Sequence, residues 1–248
     1  MIRNERMLDR SSLLHIRHIP GQPVTYLQNP KVGTKTIEGT LWHAHDPNGA
    51  PANPHAAKGS PFLRPNQLAG KYLNELLATK FFTVVRNPYA RFLAGYLNKV
   101  AHRAAWRKIG AGFGMPPDSR LTIKEFLAVV KGRDAGALDH HFCPQHINVL
   151  HGIVPLDFVG HLERMEAVED FLREHGMAVM PNRTFSTGAN RLITERLDAD
   201  DRADIRVIYE EDFRLFGYSE DCERLAPVAD GAAVSGDRST LRKHLSER

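Results

Sequence analysis

The chain has 248 residues, 33 Lys plus Arg against 29 Asp plus Glu, and two cysteines, which fits one large α/β domain of formal net charge +4. So small a basic excess argues against a nucleic-acid-binding stripe, and two cysteines exclude a disulfide framework. No run of about 18 apolar residues is present to span a membrane, and the charges scattered through Met1–Arg17 leave no signal-peptide core, so a cytoplasmic protein is expected.

The first strand is expected at 24–29, where Val24-Thr25-Tyr26-Leu27 is a buried run. A tight turn, Asn29-Pro30-Lys31-Val32-Gly33, leads into a helix predicted over 34–43. That order gathers backbone amides, the Lys31 and Lys35 ammoniums and the Thr34 and Thr36 hydroxyls at a helix N-terminus, a ready site for a phosphate-like anion. The turn is not a Walker loop, because Thr34 rather than Lys follows Gly33 and no earlier glycine stands at the required distance. Taken alone, solvated lysines on an ordinary strand-turn-helix account for it equally well.

Next comes a Pro/Asn/Ala/Gly-rich segment with His43, His45 and His55, side chains whose ordinary pKa suits a general base. A helix is predicted at 66–78, then a strand at 81–86, Phe81-Phe82-Thr83-Val84-Val85-Arg86. Asn87 as N-cap and Pro88 as first helical residue start another helix, with Tyr89, Phe92, Leu93, Tyr96, Leu97 and Val100 as its apolar stripe. Arg86 is left at a strand end beside a helix N-terminus, where a guanidinium suits bidentate phosphate contact or, alternatively, an internal carboxylate. Thr122-Ile123-Lys124-Glu125 has capping-box spacing and opens a helix at 122–132. The cluster His140, His141, Cys143 and His146 matches no common zinc spacing, so no metal is expected. A strand at 157–161 and helices at 163–175 and 199–215 complete a mostly parallel α/β pattern over residues 1–227. The polar segment 228–248 is expected to be a flexible tail.

Several of these stretches resemble carbohydrate sulfotransferases. Pro30-Lys31-Val32-Gly33-Thr34-Lys35-Thr36 is similar to their 5′-phosphosulfate loop, and Val85-Arg86-Asn87-Pro88-Tyr89-Ala90-Arg91 to their 3′-phosphate element. Asp139-His140-His141-Phe142-Cys143-Pro144-Gln145 resembles the Asp-x-His-Trp-x-Pro-Gln segment of the Golgi-type enzymes, Leu156–Glu163 their Tyr-Asp-Phe-Val-Gly-Lys-Leu-Glu, and Ile208–Tyr218 their closing helix. The resemblance runs from about residue 24 to residue 218. It departs at Ala94, where the family has a serine.

The resemblance implies a P-loop-like sulfotransferase fold and transfer of a sulfuryl group from 3′-phosphoadenosine 5′-phosphosulfate (PAPS) to a carbohydrate or glycoconjugate hydroxyl, by in-line displacement without a metal. It places Lys31 on the bridging oxygen, Val32 to Thr36 around the 5′-phosphate, and Arg86 and Arg91 at the 3′-phosphate. His55 is the expected base, since His55–Phe62 resembles a His-to-Ser-Pro stretch of bacterial relatives, and His45 and His141 are expected to meet the acceptor. Two other readings stay open: a P-loop nucleotide kinase, and a non-catalytic nucleotide- or glycan-binding relative, which Ala94 keeps alive.

Overall fold

The computed structural model describes residues 13–51, 53–54, 58–179, 188–228 and 236–246. Strand β1 (Ile16–Arg17) pairs antiparallel with β2 (Val24–Leu27), and β2, β3 (Lys80–Val85) and β4 (Phe158–His161) run parallel in the order β1-β2-β3-β4. A parallel sheet needs cover on both faces, which is why β2 and β3 read as near-continuous apolar runs. Side chains alternate between the faces. Leu27, Phe81 and Val85 enter the larger core, while Val24, Tyr26, Phe82 and Val84 enter the smaller one.

Between β2 and β3 lie α1 (Thr34–His45), α2 (Pro65–Leu68) and α3 (Leu73–Ala78). Between β3 and β4 lie α4 (Pro88–Gly95), a π-helical turn (Tyr96–Val100), α5 (Arg103–Ile109), α6 (Ile123–Lys131) and α7 (Gln145–Asn148). After β4 come α8 (Met165–Glu174), α9 (Ala189–Arg196), α10 (Ala199–Ile208), α11 (Glu210–Leu215) and α12 (Arg238–Ser246). Ile37, Leu41 and Trp42 of α1 pack with Val168, Phe171 and Leu172 of α8 in the smaller core. On the other face, Tyr89, Phe92 and Leu93 of α4 meet Phe126, Phe142, Tyr209 and Phe213.

The expected elements are present with local corrections. The 66–78 helix is two short helices interrupted at Ala69–Tyr72, a stretch containing Gly70, and the 199–215 helix breaks at Tyr209. The Thr122/Glu125 capping box forms in both directions. The expectation of a loose tail fails for 238–246, which form α12 with Leu241 and Leu245 buried in the larger core. Its first residue, Arg238, donates to Leu77 O and Thr79 O and pairs with Asp157, so one side chain ties the helix to the start of β3. Among the described residues no helix is long and apolar enough to cross a membrane.

Leu241→Ala should lower unfolding free energy by about 2–5 kcal/mol in chemical denaturation, the usual cost of an emptied leucine site. A change below about 0.5 kcal/mol, typical of surface positions, would mean α12 is not docked.

Candidate functional site

The carboxyl ends of the parallel strands converge on one region, as ligand sites do in open α/β sheets. From β2 the chain enters a tight loop in which Lys31 (φ 72°) and Gly33 (φ 79°) both adopt the left-handed conformation. For a non-glycine residue such as Lys31 this costs about 1–2 kcal/mol, a departure that clusters at functional sites. The Thr34 hydroxyl donates to Asn29 O at 2.7 Å and closes the loop. Gly33 begins α1 with no side-chain cap, and the first turn holds no acidic residue, so the positive pole of the helix is open to an anion. Burial, then the charges of Lys99, Arg86, Arg91 and Lys35, bring the Lys31 ammonium down to about 8.

Arg86 stands just past β3. Gln145, fully buried, clasps its backbone: Arg86 N–H donates to Gln145 Oε1 at 2.9 Å, and Gln145 Nε2 donates to Arg86 O at 2.8 Å. The same Oε1 accepts from Asn29 Nδ2, joining the two strand ends. Arg86 as a residue is 7% exposed, and its guanidinium reaches the loop. It donates to Lys31 O at 3.2 Å and to Asn190 Oδ1. Its Nε is buried without a hydrogen-bond partner, and no carboxylate is bonded to the group, among the described residues.

Arg91, on the inner face of α4, is 1% exposed. Its Nε, Nη1 and Nη2 donate to Pro30 O, Cys143 O and His140 O at 3.2, 3.0 and 3.0 Å. One guanidinium thus ties the phosphate-type loop to the Asp139–Cys143 turn. In that turn Asp139 Oδ1 lies 2.7 Å from His141 Nδ1 and accepts the His141 backbone N–H at 3.0 Å. Burial raises the Asp139 carboxyl, but bonding to His141 outweighs this and holds it at about 2. Burial lowers His141 against the pull of Asp139. A carboxylate only accepts, so neutral His141 carries its proton on Nδ1 and keeps a lone pair on Nε2. Burial and the adjacent His141 bring His140 down to about 4. The ligand atoms of Asp139, His140 and His141 lie within 4.8 Å of one another, yet the charges of Lys99, Lys31 and Arg91 around them oppose a divalent cation.

A family model described as the sulfotransferase family matches residues 15–219. The chain belongs to the sulfotransferase family. No curated protein and no solved structure matches it at a significant level. The mostly parallel, helix-flanked sheet is consistent with the P-loop-like fold of that family.

In the sulfotransferase Lys31, Gly33, Thr34 and Thr36 stand in one loop and helix start, and Arg86 bonds that loop at Lys31 O. Val32 is fully buried in the smaller core and offers only its backbone to a ligand. Lys35 is exposed in the first turn of α1. Two expectations need correction. Arg91 is no open phosphate-binding cation: three carbonyls engage its nitrogens beneath the loop, so it acts by positioning. His45 lies at the last residue of α1, exposed, about 16 Å of helical rise from the loop. His43, near the same end, is engaged with Pro47 O. His55 lies outside the described residues.

Other site residues escaped the sequence reading. Asp139 and Gln145 stood in a quoted segment, so their signal was present but their partners were not. Asn190 and Lys99 belong to no motif. Glu163 accepts from Asn87 N–H at 3.0 Å and Tyr218 OH at 2.8 Å, so it secures the start of α4.

Long-range ¹⁵N–¹H spectra at pH 7 should show His141 neutral with its proton on Nδ1, and Asp139→Ala should shift that proton toward Nε2. A cationic His141 at pH 7, or a tautomer indifferent to Asp139, would contradict this arrangement.

Proposed function

We propose that this sulfotransferase takes its sulfuryl group from PAPS and delivers it to a hydroxyl of a carbohydrate or glycoconjugate. The observation that carries the donor reading is Arg86, a buried guanidinium with an unpartnered Nε and no bonded carboxylate among the described residues, joined directly to the Lys31 loop. Two adjacent anion positions suit a nucleotide phosphorylated at both 5′ and 3′. The acceptor reading is supported by the likeness of Asp139–Gln145 to the glycan-enzyme segment.

In this reading Gly33 and Thr34 backbone amides, with Lys35 and Thr36, hold the 5′-phosphate. Arg86 holds the 3′-phosphate. Asn190, already bonded to Arg86, supplies a polar contact where Ala94, fully buried in the core, has no hydroxyl to offer. Lys31 meets the charge that develops on the bridging oxygen as its bond to sulfur breaks. His141 Nε2 removes the acceptor hydroxyl proton as the new oxygen–sulfur bond forms, and Asp139 holds the ring in the needed tautomer. 3′,5′-adenosine bisphosphate leaves. Positioning and charge neutralisation by these side chains supply the chemistry, and the reading assigns no metal.

Calorimetry without metal should detect 3′,5′-adenosine bisphosphate binding, weakened roughly 10- to 100-fold by Arg86→Ala, as loss of charge-assisted hydrogen bonds implies. Undiminished binding to that variant, or a requirement for magnesium, would sink the donor reading. With an acceptor found by screening, His141→Ala should lower kcat by roughly 10²–10⁴, the range for a general base, without changing nucleotide affinity. If His141→Ala leaves kcat intact and His55→Ala abolishes it, the base is His55.

A further inference from the structure

Among the described residues, Lys99 is the one cation acting on Lys31 to which the proposed transfer gives no task. It sits, half-buried, in the π-helical turn that follows α4, where Ala101 N–H bonds Tyr96 O at 2.9 Å and the helix widens by one residue. Such turns frequently occur at functional sites. Tyr96 OH pins the turn by donating to Leu121 O at 2.7 Å.

Arg91, Gly95 and Lys99 follow at four-residue spacing, which places them along one helix face. The first two already meet the Asp139–Cys143 turn: Arg91 bonds its carbonyls, and a Cβ on Gly95 would come within 2.9 Å of Phe142 and 3.4 Å of His141 O. Lys99 is next along that face. Its charge acts on Lys31, His140 and His141. Lys99 therefore continues the helix face that Arg91 and Gly95 turn toward the Asp139–Cys143 turn, on the side of Lys31 and His141.

Among the described residues Lys99 has no hydrogen-bonded or ion-paired carboxylate. Asp139, the acidic group of the cluster, is engaged by His141, and Asp118 pairs with Arg103 and Arg107 on α5. Like charges this close repel, and the arrangement is balanced when an anion enters between them.

We propose that Lys99 contacts substrate and takes an oxyanion beside Lys31 and His141: a non-bridging oxygen of the sulfuryl group in transit, or an acidic group of the acceptor. This rests on the sulfuryl-transfer reading above, and adds to it a second cation at the transferring group.

The test uses the full chain loaded with 3′,5′-adenosine bisphosphate and inorganic sulfate as the probe, followed by calorimetry in the wild type, Lys99→Met and Lys99→Arg. Sulfate should bind the loaded wild type, bind about tenfold more weakly or undetectably to Lys99→Met, and recover in Lys99→Arg, as expected for one charge-assisted contact. Nucleotide affinity should change by no more than about threefold, which also reports an intact fold. Equal sulfate binding in the wild type and Lys99→Met, or none in the wild type, would overturn the proposal while leaving the donor site standing. Failure of the wild type to bind the nucleotide would instead remove the donor reading and this proposal with it. PAPS itself separates the two anion sources: if Lys99→Met loses the preference for PAPS over the bisphosphate, the oxyanion is the sulfuryl group. If that preference survives while sulfate binding is lost, it is the acceptor's acid.

Discussion

A buried guanidinium, Arg91, holds the site in register. Its three nitrogens reach carbonyls from the loop after β2 and from the turn before α7, segments far apart in sequence. Burying such a cation is costly unless its donors are satisfied, and three carbonyl acceptors meet that need. The consequence is geometric: Lys31 and the Asp139–His141 pair cannot move apart without stranding a charge in the interior. Gln145 does the complementary task for Arg86, clasping its backbone while its own N–H donates to the buried Asp212 carboxylate.

Around this frame the sulfotransferase gathers more positive charge than its acidic groups answer. Lys31, Lys99, Arg86 and Arg91 act on one another or on His140 and His141, and each such contact disfavours the protonated form. The left-handed Lys31 and the unpartnered Arg86 Nε add local cost. Under the donor reading proposed above, a bound polyanion offsets that repulsion. In that cluster burial holds both His140 and His141 toward the neutral form, and His141 Nδ1 is bonded to ionised Asp139.

The strands and the two phosphate-type motifs were legible because β-branched runs, the Asn87-Pro88 helix start and the Lys-Gly-Thr turn act through local backbone chemistry. What escaped depends on packing. Gly70 and Tyr209 interrupt helices that periodicity carries straight through. Leu241 and Leu245, one turn apart in an otherwise polar stretch, dock a helix that composition reads as a tail, with Arg238 tying its start. Spacing alone does not distinguish Arg91 as a phosphate contact from Arg91 as a strut, since both place it on α4 near the loop. His45 looked close in sequence to the anion loop but stands at the opposite end of α1. Lys99 was hidden inside an apolar stripe, and its π-turn has no sequence signature.

The most direct test of the account is a crystal structure of the protein with 3′,5′-adenosine bisphosphate. The account predicts the 5′-phosphate against the amides of Gly33 and Thr34 beside Lys31, the 3′-phosphate on Arg86 Nε, and Arg91 still bonded to its three carbonyls. A nucleotide seated elsewhere, or one that turns Arg91 out of its carbonyls to reach a phosphate, would contradict it.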